Sequence, residues 1–108
     1  MSKRVLVIGA GPCGLTTIKQ CRDEGLDVVC VEQHDTIGGL WSFKENSPSV
    51  AKNTISNTSK EFSAFSDFPP PSDFPNYMHH LKYVSQCPWW TLSIDEEEAV
   101  SKPDVYHI

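Results

Sequence analysis

The sequence predicts an α/β fold: one strand–helix–strand unit followed by a long, loop-rich extension. Three observations carry that expectation. Val5–Ile8 is a continuous apolar run rich in β-branched residues. Leu15, Ile18 and Cys21 recur at three-residue spacing with polar residues between them. Val28–Val31 is a second apolar run. Short apolar runs bounded by turn residues suit strands buried in a parallel sheet, and the three-residue recurrence suits an amphipathic helix.

The elements follow in order. Gly9 bounds the first strand. Gly25, after Asp23 and Glu24, is placed to end the helix in a left-handed conformation. Glu32 closes the second strand. Strand, helix and strand within about thirty residues make a βαβ unit with a right-handed crossover. Beyond Gln33 the pattern changes. Gly38 and Gly39 precede Leu40 and Trp41, and residues 44–60 are polar without periodicity. Phe62–Pro75 alternates aromatics with prolines. Pro69, Pro70 and Pro71 exclude a helix or central strand there, so an extended loop packed through Phe62, Phe65, Phe68 and Phe74 is expected. A short helix is expected over Tyr77–Tyr83, and "CPWWTLSI" is at most a short edge strand. Two strands are secure, which leaves both edges of the pair exposed.

Bulk properties narrow the function. With 108 residues there is room for one small domain, and 39% hydrophobic content permits a modest core. A net charge of −5 without clustered Lys and Arg excludes a nucleic-acid binder. The acidic run Asp95–Glu98 reads as a solvated face or tail. Of four cysteines, no two stand in a C-x-x-C pair, so neither a zinc ribbon nor a thioredoxin-type site is written here, and His79 and His80 read as a solvated pair with no metal. No leader peptide and no membrane-spanning run is expected.

The chemistry lies at the first turn. Gly9, Gly11 and Gly14 form G-x-G-x-x-G between strand and helix, with an acid at the end of the next strand. In such a Rossmann-like turn the first glycine permits the bend and the second lets a pyrophosphate approach the backbone. The third lets helix pack on strand. The helix N-terminus offers free N–H groups to phosphate, and Pro12 omits a donor that is surplus there. Glu32 can accept hydrogen bonds from both ribose hydroxyls of an adenosine and disfavours a 2′-phosphate. Cys13 is either a small residue that fits the turn or a thiol activated by the helix N-terminus. A tight turn without ligand is the alternative for the whole motif.

"KRVLVIGAGPCGL", "CVEQHDTIGGLWSF", "SNTSKEFSAFSDFPPP" and "FPNYM" together resemble the N-terminal region of flavin-containing monooxygenases, from residue 3 to about residue 80. The GGLW, "SNTSKE" and "SDFP" stretches argue against another two-dinucleotide flavoprotein such as a reductase or amine oxidase. The resemblance implies an incomplete Rossmann-like FAD-binding unit in residues 1–83, with 84–108 a divergent tail, poorly ordered in part. It implies that Gly9, Ala10, Gly11, Pro12 and Cys13 line the FAD pyrophosphate, with Gly14 packing the helix and Glu32 on the ribose. Leu40 and Trp41 would lie near the flavin end. Ser56 and Asn57 match where the family meets NADP, and Asn57 with Thr58 lies beside the flavin; Asn57 is the catalytic candidate. The implied activity is NADPH-dependent oxygenation of amines or sulfides, as in N,N-dimethylaniline monooxygenases. The family sits on the cytosolic face of the endoplasmic reticulum membrane through a C-terminal anchor. This chain shows neither that anchor nor a second glycine-rich turn. It is therefore expected to be a cytosolic N-terminal piece, either of the enzyme or acting as a non-catalytic nucleotide-binding or interaction fragment.

Overall fold

The computed structural model describes residues 3–85 and 104–107. Strand β1 is Arg4–Ile8, helix α1 is Pro12–Asp23 and strand β2 is Asp27–Glu32. β1 and β2 pair in parallel, Val5 opposite Val28 and Val7 opposite Cys30. The expected βαβ unit is present. Its helix ends as the glycine predicts: Gly25 has φ +75°. Its N–H donates to Arg22 O, and the Leu26 N–H donates to Cys21 O. This pair of bonds satisfies carbonyls that the helix end would otherwise leave open.

The core lies between one face of the sheet and α1. Val7, Val28 and Cys30 from the strands meet Leu15 and Ile18 from the helix, with Ala10 closing the top. Alternation along β1 turns Leu6 and Ile8 to the opposite face, where Ile8 is 82% exposed. That face is apolar because a parallel strand is built to be covered on both sides.

A third strand joins the two expected ones. Asp104–His107 forms β3, parallel to β2, with Val29 opposite Asp104 and Val31 opposite Tyr106. The sheet order is β1-β2-β3, so β2 is the central strand. β2 presents a row of backbone donors and acceptors, and any extended segment that reaches it gains a ladder. Four residues are too few to show a period, which is why this strand is not legible locally. The possible strand "CPWWTLSI" and the acidic run Asp95–Glu98 lie outside the described residues.

Three expectations need correction. Lys60–Ser63 forms a one-turn helix, α2, where an extended loop was expected to begin, and Phe62 on it is 90% exposed instead of packed. Phe65 does pack against the core, and a tight turn follows it in which the Phe68 N–H donates to Phe65 O. The helix expected over Tyr77–Tyr83 is α3, His80–Ser85. Its late start follows from Tyr77, whose φ of +53° is incompatible with a right-handed helix, and from His79, which bridges Ile55 as a short antiparallel pair. The histidine pair is not solvated: His80 is 2% exposed.

Candidate functional site

The glycine turn is built from the end of β1. Gly9 has φ +99°, a conformation that side chains rarely adopt, and its N–H donates to Val31 O at 2.8 Å. The turn is therefore stitched to the end of β2 before α1 begins. Gly11 is the N-cap, in extended backbone that any residue can take, and Pro12 opens the helix. A Cβ on Gly14 would sit 1.9 Å from the Gly9 carbonyl oxygen. The third glycine is thus required by the contact between helix and strand, as its spacing predicts.

Glu32 reaches the same turn from β2. It is 6% exposed. Its Oε2 accepts the Ala10 N–H at 2.6 Å and its Oε1 accepts the His34 N–H at 3.1 Å. Burial pushes this carboxyl up, but the N–H groups of Ala10, His34 and Gln33 outweigh it and hold the group below its ordinary value. A buried, ionised carboxylate stands beside the turn with lone pairs left for further donors. Beneath it, burial and then the charge of Glu32 push the Cys30 thiol up, so Cys30 is a neutral core residue. Cys13 is exposed on the first turn of α1.

The second glycine pair forms the other wall, a role the spacing alone did not disclose. Gly38 (φ +109°) donates its N–H to Ala10 O at 2.8 Å. Gly39–Trp41 then forms a 3₁₀ turn. A Cβ on Gly39 would stand 3.1 Å from Gly11 Cα, and one on Gly11 would stand 3.7 Å from Gly39 Cα. The two turns meet backbone to backbone because neither has a side chain there. Leu40 is exposed, while Trp41 stacks on Tyr83 with ring centroids 4.0 Å apart.

The structure therefore brings Gly9–Gly14, Glu32 and the Gly38–Gly39 turn into one constellation, with Leu40 and Trp41 following that turn in the chain. Ser56, Asn57 and Thr58 belong to a second. Ser56 is buried, its N–H donates to Met78 O, and its hydroxyl lies 3.2 Å from that of Thr58. Thr58 O accepts the Tyr77 N–H. Asn57 is exposed between them.

The turn leaves backbone donors open at a helix N-terminus. The first turn of α1 carries no acidic residue and no side-chain cap. Its N–H groups and the positive end of its dipole are left for an anion. The Gly9 Cβ position has nothing within 4 Å, so the outer side of the bend is open. Among the described residues no group of three or more His, Cys, Asp or Glu is placed to hold a metal, and no helix is long and apolar enough to cross a membrane.

Residues 2–93 match the family model described as flavin-binding monooxygenase-like. The chain is 56% identical over 88 residues to dimethylaniline monooxygenase (N-oxide-forming) 2 of Cavia porcellus, covering 78% of this chain and 16% of that protein. It is 52% identical over 88 residues to flavin-containing monooxygenase 2 of Homo sapiens, with the same coverage. The chain thus spans about one sixth of the length of these curated relatives. The structure of S-allyl-L-cysteine S-oxygenase from Allium sativum superposes with a TM-score of 0.70 at 22% identity, covering 86% of this chain and 26% of that one. At that identity the likeness speaks for the fold.

Proposed function

Because the chain belongs to the flavin-binding monooxygenase-like family, we propose that its glycine turn holds the ADP half of FAD, as the N-terminal nucleotide site of an enzyme that oxygenates soft nitrogen or sulfur nucleophiles. The observation that carries this reading is the Glu32 carboxylate, buried and bound to the Ala10 N–H beside an uncapped helix N-terminus. When bound, the flavin supplies the chemistry: it takes a hydride from NADPH and activates oxygen.

The residues of the chain supply binding and orientation. The first-turn N–H groups of α1 meet the pyrophosphate, and Gly11 keeps that approach free of a side chain. Glu32 accepts ribose hydroxyls. Leu40 and Trp41 belong toward the flavin end. Ser56, Asn57 and Thr58 are assigned to the NADP and flavin side, where the Asn57 amide can both donate and accept. The support for this last assignment is that these residues lie within the stretch that matches the family. NADPH needs a site other than the glycine turn, since a 2′-phosphate there would face Glu32.

The test is binding of FAD or ADP to the purified 108-residue chain, followed by calorimetry. Glu32→Ala is expected to weaken it by about 1.5–3 kcal/mol, the scale of hydrogen bonds to a charged group. An unchanged dissociation constant removes Glu32 from the site. Glu32 also makes stability depend on pH. Its folded-state value lies below the ordinary 4.5, so its contribution is complete above about pH 4.5 and disappears as pH falls through the lower folded value. Glu32→Gln is expected to flatten the acid limb of the unfolding midpoint measured between pH 6 and pH 3.

A single G-x-G-x-x-G in the sequence favours a second reading for these residues tested by themselves: they bind nucleotide without turning over substrate. With added FAD, NADPH and a simple thioether, sulfoxide formation is expected to stay at the level of free flavin. Turnover clearly above that level would mean that these residues build a second nucleotide site.

A further inference from the structure

Residues 77–83 have no part in the nucleotide site proposed above, yet they hold one of its walls. Tyr77, in its left-handed conformation, directs the chain inward. Met78 is 1% exposed, and its carbonyl accepts the Ser56 N–H. The His80 N–H donates to Thr54 O at 3.0 Å, so the start of α3 is tied to the preceding loop.

Both ring nitrogens of the buried His80 face carbonyl oxygens. Nε2 is 3.0 Å from Lys52 O and Nδ1 is 3.3 Å from Trp41 O. A neutral imidazole has one N–H and serves one of them at a time. His79 also reaches Lys52 O. Its Nδ1 accepts the Leu81 N–H, which assigns its proton to Nε2, 3.1 Å from Lys52 O. Lys52 O has two lone pairs and can accept from both rings, so the His80 ring sits between Lys52 O and Trp41 O, and its one N–H serves either. Three residues along α3, Tyr83 stacks on the Trp41 ring. The helix therefore meets Trp41 at its carbonyl, through the His80 ring, and at its indole, through Tyr83.

Trp41 ends the 3₁₀ turn that begins beside the glycine turn, where the Gly38 N–H meets Ala10 O and Gly39 meets Gly11. A three-residue 3₁₀ turn is weak alone. Its further ties are the Val50 N–H on Leu40 O and these contacts with α3. We propose that His80 is a positioning residue for the nucleotide site: with its buried ring bridging the space between Lys52 O and Trp41 O it fixes residues 38–41 against the glycine turn, and the affinity of that turn for an adenine nucleotide depends on it. The proposal rests on the reading that the glycine turn binds such a nucleotide. Fixing the wall beforehand removes an ordering cost from binding.

The experiment uses the whole 108-residue chain with His80→Leu, which removes both ring nitrogens at similar bulk, and His80→Gln, which restores an amide donor. ADP affinity is measured by calorimetry and backbone amide exchange by NMR. His80→Leu is expected to weaken ADP about tenfold, as for one lost hydrogen bond. It is expected to speed exchange at Gly38 while amides of β1 and α1 stay slow. His80→Gln is expected to recover most of both effects. Unchanged affinity with unchanged Gly38 exchange overturns the proposal. So does faster exchange throughout β1 and α1, which would make His80 an ordinary core residue. If the wild-type chain does not bind ADP, the nucleotide reading falls by itself, and Gly38 exchange still decides whether His80 holds the wall.

Discussion

Gly14→Ala is expected to destabilise the chain by about 3 kcal/mol or more, at or beyond the upper end of ordinary overpacking. The added Cβ would lie 1.9 Å from the Gly9 carbonyl oxygen and 3.0 Å from its carbon. Neither side can yield easily. Gly9 is pinned to Val31 by a 2.8 Å hydrogen bond, and α1 is anchored by the buried Leu15 and Ile18. Relief requires lifting the helix off the sheet, which opens the core. A small domain has about 5–15 kcal/mol of stability in total, so the loss should be plain in urea denaturation followed by circular dichroism. Gly25→Ala is the useful contrast. Its Cβ meets nothing within 4 Å, and only the positive φ opposes it, at about 1–2 kcal/mol. If the two variants lose similar amounts, the close approach at Gly14 is not what holds helix to strand.

The second large effect is on binding. Gly11→Val is expected to reduce ADP or FAD affinity by about 100-fold or more, equivalent to about 2.7 kcal/mol, while the chain stays folded. Gly11 lies in extended backbone with φ −77° and ψ −177°, so no conformational rule demands glycine there. What matters is space. A Cβ would make ordinary contact with Gly39 Cα at 3.7 Å, and branching it sends a methyl either into Gly39 or into the pyrophosphate approach. Gly11→Ala, which adds the Cβ alone, should bind with intermediate affinity. Equal affinities for Gly11→Val and the wild-type chain, with circular dichroism unchanged, would show that the turn serves the fold alone.

These two glycines differ in how far the sequence explains them. Gly14 is accounted for by its spacing, because the geometry of a strand–turn–helix joint is local. Gly11 is only half accounted for. Its place between strand and helix points to phosphate, but its neighbour Gly39 comes from a separate turn. Glu32 is similar. Its position at the strand end identifies it as an acceptor, while its bond to the Ala10 N–H depends on how the two strands pair.

The sequence by itself determined the βαβ unit, the left-handed helix end at Gly25 and the glycine–acid constellation at the first turn. Each is written in residues close along the chain, as a period of apolar side chains or a fixed spacing of glycines. The resemblance of the flanking motifs pointed to the family. Tertiary structure alone decided the rest. β3 joins β2 through backbone pairing, which leaves little mark on four residues. Phe62 faces outward although its composition suggests burial, because α2 turns it away from the core. His80 is buried against Trp41 O, 39 residues away, although beside His79 it reads as one of a solvated pair. A contact over that separation depends on where both segments are carried by the strands, helix and turns between them. No pattern within either segment encodes it.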